Sequence, residues 1–286
     1  MTAEPRTAQR EIDEGNRFGF GANWSAFLSV VDEQRVLASI KSLTALLPAR
    51  SVEGHTFLDV GCGSGLSSLA AHRIGAAKVC SFDFDAQSVA STLELKRRLA
   101  ADSAAWTVMQ GSILDVECVS RLGTWDVVYS WGVLHHTGRM WDALANTAKL
   151  VRPGGTLFIA IYNDQGVGSR FWSRVKRIYN HSTVGRLGVI GTFVPYFVLR
   201  GFAKDVVTGV SPAKRYRSYF EQRGMSRYHD WVDWLGGLPF EVATPEQIFD
   251  FYSDLGFTLE RLQTCGGGLG CNQFVFRAPT EACSAT

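Results

Sequence analysis

The chain lacks a long unbroken apolar run, a paired-cysteine motif and an excess of either charge. Its longest apolar stretch, Leu187 to Leu199, contains Pro195 and two glycines and falls short of the ~20 residues that span a bilayer. No transmembrane segment is therefore expected. The N-terminus, MTAEPRTAQREIDEGN, has no apolar h-region, which excludes a secretory signal and leaves a cytoplasmic location as the expectation. None of the six cysteines forms a CxxC pair, and Cys62 and Cys80 sit inside two of the motifs described below, where a disulfide framework would make no sense. Reduced thiols fit better. Lys+Arg of 29 against Asp+Glu of 27 gives a formal +2, too balanced to argue for a nucleic-acid partner. Repeats and low-complexity tracts are absent. What is present, 46% hydrophobic and 20% charged residues over 286 positions, fits one globular α/β domain with a sizeable insertion or a small cap.

The informative stretch is FLDVGCGSG, Phe57 to Gly65. A short apolar run meets an acid, Asp59, then glycines at alternate positions (Gly61, Gly63, Gly65), then a helix-like pattern from Leu66. Glycine lets backbone turn sharply and approach a ligand closely, and the helix that follows offers unpaired N–H groups. Four motifs succeed it in order: KVCSFDFD ending around Asp83, MQGSILD, WDVVYSWGVLHHTG and LVRPGGTLFIAIYN. Asp83 lies 18 residues beyond Gly65, where a βαβ unit brings a second strand up beside the first. An acid at that strand end can accept hydrogen bonds from both ribose hydroxyls of an adenosine ligand.

In this order and spacing the motifs resemble the class I S-adenosylmethionine-dependent methyltransferases over Thr56 to Tyr162. The glycines read GxGxG rather than the GxGxxG of dinucleotide folds, which disfavours a nicotinamide oxidoreductase. The resemblance implies an α/β fold with a doubly wound, mostly parallel seven-stranded sheet, a helical cap inserted after the fifth strand, and S-adenosylmethionine as cofactor. Four segments are expected: a helical stretch over 1–50 covering the cofactor site, a Rossmann-like core over 51–163, a substrate cap over 164–243, and a last helix with an antiparallel strand pair over 244–286.

Local patterns agree. Apolar residues from Phe18 to Leu47 recur at helical steps. A helix opens at Leu66 and stops at Gly75, and a second runs from about Ala86 to Ala101 with Val89 and Leu93 turned inward and a Glu94–Arg98 surface pair. Thr244, Pro245 and Gln247 have the spacing of a capping box. Between Asp164 and Arg223 there are 11 Lys/Arg against 3 Asp/Glu, interleaved with aromatics. Two readings stand for that bias: a lid gripping an anionic or amphipathic acceptor, or a solvated helical surface.

The resemblance also places the site. Asp59 would hold the amino end of the cofactor above the Gly61–Gly63–Gly65 turn, Asp83 the ribose, Phe84 the adenine face, and Ser112 and Ile113 the adenine edge. The family often has Asp where Ser112 stands, so Asp115 is the alternative there. Ser130, at the end of the fourth strand, joins the cofactor set. Trp24 either closes over the cofactor or belongs to the core. His135 and His136 follow the fourth strand, at the rim facing the transferred methyl. The family's quinol O-methyltransferases carry His at the position of His136, and an ordinary imidazole pKa near ~6.5 suits proton removal. Tyr162 and Asn163 could orient substrate, and so could Tyr228, His229 and Asp230 on the cap, with His229 a further catalytic candidate; a packed hinge is the other reading of that cluster. No metal site is expected.

The acceptor is expected to be a small molecule methylated on oxygen, with nitrogen or carbon as alternatives. Methylation of adenine or glutamine amino groups normally shows an Asn/Asp-Pro-Pro-aromatic motif where this chain has Tyr129-Ser130-Trp131-Gly132, and no Pro-Cys nucleophile is present. A nucleic-acid or protein acceptor is thus disfavoured. Peripheral membrane contact through the cap and the oligomeric state are left open.

Overall fold

The structure, a computed structural model, describes residues 8–100, 104–209, 211 and 227–280. Its frame is a sheet whose inner strands are covered on both faces. In β1 (Thr56–Val60) every residue after Thr56 is buried, as expected for a central parallel strand. With β2 (Lys78–Asp83), β3 (Trp106–Gln110), β4 (Trp125–Trp131), β5 (Val151–Tyr162), β6 (Thr258–Gln263) and β7 (Cys271–Arg277) it forms a seven-stranded sheet in the order β3-β2-β1-β4-β5-β7-β6. The first five strands are parallel, and β7 pairs antiparallel with both β5 and β6. The chain moves outward from β1 to β3, then returns to place β4 on the other side of β1. Connections therefore leave the carboxyl ends of β1 and β4 on opposite faces, which opens a crevice between them.

Alternate residues of each strand feed opposite cores. Leu58, Val128, Leu157 and Ile159 pack with Leu144 of α7 (Met140–Lys149) and Ile248 and Tyr252 of α11 (Pro245–Asp254). Phe57, Val127, Tyr129 and Phe158 pack on the other face with Val36 of α3 (Glu33–Leu46) and Leu69 of α4 (Leu66–Ile74). A third cluster joins Phe18 to Trp172 and Tyr179 of α8 (Val167–His181), Val189 of α9 (Thr183–Thr208) and Leu235 of α10 (Arg227–Gly236). These helices form the insertion after β5. It leaves at Tyr162 and returns at Ala243, where the Ala243 N–H donates to the Tyr162 carbonyl at 3.0 Å and the Asp164 N–H donates to the Ala243 carbonyl at 3.1 Å.

Several local expectations are met. Gly75 ends α4 with φ 102°, and Thr244 and Gln247 close a reciprocal capping box on α11. The helical pattern from Phe18 to Leu47 is met by two helices, α2 (Phe20–Leu28) and α3, because the Asp32 carboxylate accepts from the Arg35 N–H at 2.9 Å and starts a new helix. Others are not met. In α5 (Ala86–Leu99) Leu93 is 48% exposed, and the buried face is Ser88, Ser91, Thr92 and Leu95. Small polar residues are required there because α2 lies across them, with Ser25 and Ser91 hydroxyls 3.0 Å apart. The apolar run around Pro195 is also longer than its sequence bounds. It belongs to the 26-residue α9, long and apolar enough by length and composition to cross a membrane, with 6% of its apolar window buried.

Gly65 caps α4 at φ 79°, and a Cβ there would stand 2.7 Å from Thr92 Cγ2 of α5. Gly65→Ala should lower stability by about 2–4 kcal/mol, the sum of left-handed strain and overpacking. Adding Thr92→Ser, which removes that methyl but leaves the hydroxyl oxygen at 2.9 Å, should restore only a share of the packing loss in urea unfolding. Full recovery would show that the left-handed backbone costs nothing here.

Candidate active site

A cleft of about 1700 Å³ opens at the carboxyl ends of β1 to β4. Its floor is the turn between β1 and α4, where Gly61, Gly63 and Gly65 have φ of 76°, 55° and 79°. All three are in the region that favours glycine. Each also abuts a side chain: a Cβ would come within 2.3 Å of Val133 at Gly61 and within 2.9 Å of the Trp24 indole at Gly63. The sequence attributed these glycines to ligand approach; the structure adds that the protein's own packing demands them. Gly61 and Gly63 line the cleft, while Gly65 sits behind as the cap of α4.

Two carboxylates flank the turn. Asp59 is buried, and Ser68 Oγ donates to its Oδ2 at 2.5 Å. Ser81 Oγ lies 2.6 Å from Ser68 Oγ and receives the Trp106 indole N–H at 2.8 Å, so a polar chain runs from Asp59 into the core. Burial pushes the Asp59 carboxyl up to about 7, with the Ser68 hydrogen bond opposing and the charge of Asp83 adding to the rise. Asp83 Oδ2 accepts from the Gly63 N–H at 3.0 Å and Oδ1 from the Asp85 N–H at 2.9 Å. Burial pushes it up to about 6 against those two hydrogen bonds. Each Asp83 oxygen keeps a second lone pair for a ligand hydroxyl.

The two histidines separate. His136 lines the cleft; its Nδ1 is 2.6 Å from the Pro239 carbonyl, which can only accept, so Nδ1 carries the proton and Nε2 is the acceptor. Burial lowers its pKa to about 3, so the ordinary value assumed from sequence does not hold. His135 is fully buried and outside the cleft wall: its Nδ1 takes the Tyr162 N–H at 3.4 Å, and burial holds its pKa well below the usual range. Beside them the Lys176 ammonium is buried over the rings of Tyr162, Trp234 and Phe240 at 5.8, 4.4 and 4.7 Å and donates to the Trp234 carbonyl.

Trp24, Phe84, Ser112, Ile113 and Tyr162 join Asp59, Asp83 and His136 on the cleft wall. Trp24 both lines the cleft and packs on the turn at Gly63. Ser130 does not reach the cleft: its hydroxyl donates to the Val60 carbonyl at 3.0 Å, tying β4 to β1. Asn163 is also off the wall, its Oδ1 accepting from Asn272 Nδ2 at 2.9 Å. Both turn toward neighbouring strands, as a two-residue period dictates. Tyr228, His229 and Asp230 fall on α10, but their side chains lie outside the described residues. None of the described Lys/Arg of the insertion lines the cleft, and Lys214, Arg215, Arg217 and Arg223 lie outside the described residues.

Sequence reasoning missed Arg17. Its guanidinium donates to the His136 carbonyl at 3.1 Å, pairs with Glu11 at 2.6 Å and lies 5.0 Å from the Phe84 ring centroid. It pins the N-terminal segment to the KVCSFDFD and WDVVYSWGVLHHTG motifs, and no local pattern announces it. Trp131 and Gln273 were missed too; their 3.1 Å hydrogen bond joins β4 to β7 at the far wall. Strand alternation from Phe274 and Phe276, both buried, would have put Gln273 near a rim.

Residues 58–157 match a family described as a methyltransferase domain. A ubiquinone biosynthesis O-methyltransferase of Rhizobium johnstonii is 33% identical over 117 residues, 40% of this chain and 44% of that protein. A ribosomal protein L11 methyltransferase of Xanthomonas campestris pv. campestris is 31% identical over 157 residues, 54% of this chain and again 44% of that protein. The chain therefore matches less than half the length of these curated relatives. The magnesium protoporphyrin IX methyltransferase of Synechocystis PCC 6803, crystallised with bound SAH, aligns over 93% of this chain and 97% of that one, with 17% identity and a TM-score of 0.54, a likeness of fold.

Both carboxyls bind protons more tightly when folded than the ordinary value of 3.8 allows, so folding takes up protons between about pH 4 and 7. Their contribution is fully present below pH 4 and is lost as pH rises through 6 and 7. Urea unfolding of the ligand-free protein should show stability falling across that window by a few kcal/mol. Asp59→Asn should flatten the upper part of the slope; an unchanged slope would remove Asp59 as its source.

Proposed function

We propose that this chain, whose residues 58–157 form a class I S-adenosylmethionine-dependent methyltransferase domain, transfers a methyl group to an oxygen of a small-molecule acceptor. The observation that carries the reading is the pair Asp59 and Asp83 on either side of the glycine turn, at the crevice where the strand order reverses. A buried carboxylate at the cleft wall is costly unless a cation meets it, and the amino end of the cofactor is such a cation. Asp83 has the free lone pairs that ribose hydroxyls need. Phe84, held by Arg17, offers a ring face for a base. The residues present fit the group.

S-adenosylmethionine supplies, when bound, a methyl carbon activated by a positive sulfur. The chain's own part is alignment. Orientation of this kind accounts for roughly 7–11 kcal/mol of a displacement barrier. His136 is fixed through Nδ1 and presents Nε2 as an acceptor, so it orients the acceptor hydroxyl by a hydrogen bond. Its low pKa means that it does not keep the proton released as the methyl–oxygen bond forms and the methyl–sulfur bond breaks, and that proton passes to solvent through the open cleft. Lys176, positive and close to both histidines, also opposes proton storage there. Tyr162 and Trp234 give the acceptor end apolar walls. Such walls favour a small molecule over a macromolecular acceptor of the kind the L11 relative is named for. The helices of residues 164–243 serve as the acceptor cap.

Calorimetric titration with S-adenosylmethionine should give affinity that rises from about pH 5.5 to about pH 8 as the two carboxyls ionise. Asp59→Asn should flatten this rise, and Asp83→Ala should weaken binding by roughly ten- to a hundredfold through lost charge-assisted hydrogen bonds. NAD should not compete. Binding of NAD in place of S-adenosylmethionine would overturn the assignment. With an acceptor in hand, His136→Ala should lower kcat by at least tenfold without creating or removing a rate limb near pH 6.5.

A further inference from the structure

The cations that do not face the cleft have another address. From Gln165 to Lys204 the sequence has no Asp or Glu, while Arg170, Arg174, Arg177, Arg186, Arg200 and Lys204 occupy exposed positions on α8 and α9. The next carboxylate, Asp205, is buried. Along α9 one stripe is committed to the protein: Phe193 and Phe197 lie 5.1 and 6.2 Å from the Trp172 ring. The remaining surface is apolar and wet. Leu187, Leu199, Phe202 and Val206 are 65, 67, 56 and 66% exposed, and Phe171 and Ile178 of α8 continue the patch. Exposed large apolar side chains gathered on one pair of helices mark a site of association.

We propose that the outer face of α8 and α9 docks on a lipid bilayer surface carrying anionic headgroups, with α9 lying in the plane of the interface beside the mouth of the cleft. Charge decides the partner. Apolar side chains interleaved with unopposed Arg and Lys suit a surface that is apolar within and negative outside. A second copy of the same face would instead bring six cations against six, which like-charge repulsion disfavours. The committed stripe decides the geometry, because a helix packed along one side on Trp172 cannot be surrounded by lipid. Phe197, on the packed side of α9, also lines the cleft, so the docked helix borders the site. An acceptor with an apolar part could pass between bilayer and cleft without crossing water. The proposal does not depend on which atom is methylated.

The test is co-sedimentation of the full chain with vesicles of phosphatidylcholine alone or of equal parts phosphatidylcholine and phosphatidylglycerol. Binding is expected to the anionic vesicles, weakly or not at all to the neutral ones, and to fall with added salt. Arg170→Glu, Arg174→Glu, Arg200→Glu and Lys204→Glu combined should weaken it by about tenfold or more, and so should Leu199→Ser, Phe202→Ser and Val206→Ser combined. All these positions are exposed, and thermal unfolding by circular dichroism will show whether the variants keep the parent's fold. Failure of the parent to sediment with anionic vesicles, or equal sedimentation of folded variants, overturns the proposal. So does a dimer in light scattering that the serine variant disperses, since the face would then belong to a second copy.

Discussion

Four parts of the chain meet at the turn between β1 and α4. Val133 of the β4 loop, Trp24 of α2 and Thr92 of α5 each press on a glycine that has no room for a Cβ. The left-handed backbone at these positions is thus over-determined, the condition under which strained backbone persists. Because the contacts come from three directions, the turn fixes where the N-terminal helices, the second crossover helix and the histidine loop stand relative to one another. The cleft is the space they leave.

The same arrangement holds two acids apart from bulk water. Asp59 leans on a chain of hydroxyls that ends at the Trp106 indole, and Asp83 borrows N–H groups from the turn and from α5. Those partners do not cancel the cost of burial, since both carboxyls stay protonated to higher pH than usual. On the proposed reading the site takes a cation, and it carries that cost whenever the cation is absent, so that stability is lowered where binding is gained. Asp126, by contrast, is held below the ordinary carboxyl value although burial raises it, because its Oδ2 accepts from the Thr56 N–H and hydroxyl at 2.8 and 2.7 Å.

Much of the fold was readable because its signals are local. Three glycines in GxGxG, an acid at the next strand end, a capping box at Thr244 and a stop at Gly75 each depend on neighbours in sequence, and each stands where expected. What failed depended on distant partners. Leu93 faces outward because α2, some sixty residues earlier, needs small residues beneath it. His135 and Ser130 share motif positions with residues that do line the cleft, yet strand period and loop geometry turn them inward. Arg17 is invisible in sequence because its three partners lie in three separate segments. The basic bias after Asp164 was visible as composition, but its direction was not, since a helix with charges at many positions can face either way until its packed stripe is known.

The neck at Tyr162 and Ala243 is two hydrogen bonds wide, and about eighty residues pass through it. β5 continues into its pairing with β7 regardless of what happens beyond the neck. Entropy for closing such an excursion rises only slowly, by about 0.6 kcal/mol for each doubling of its length. The sheet pairing does not pass through the insertion, so its outer helices can change while the strands keep their register. Its last residues, however, are tied to the core: the Pro239 carbonyl holds His136, and the Glu241 N–H donates to the His135 carbonyl at 3.0 Å. On the proposed reading, the outer helices of the insertion can diversify under selection while the stretch that returns past His136 stands still with the chemistry.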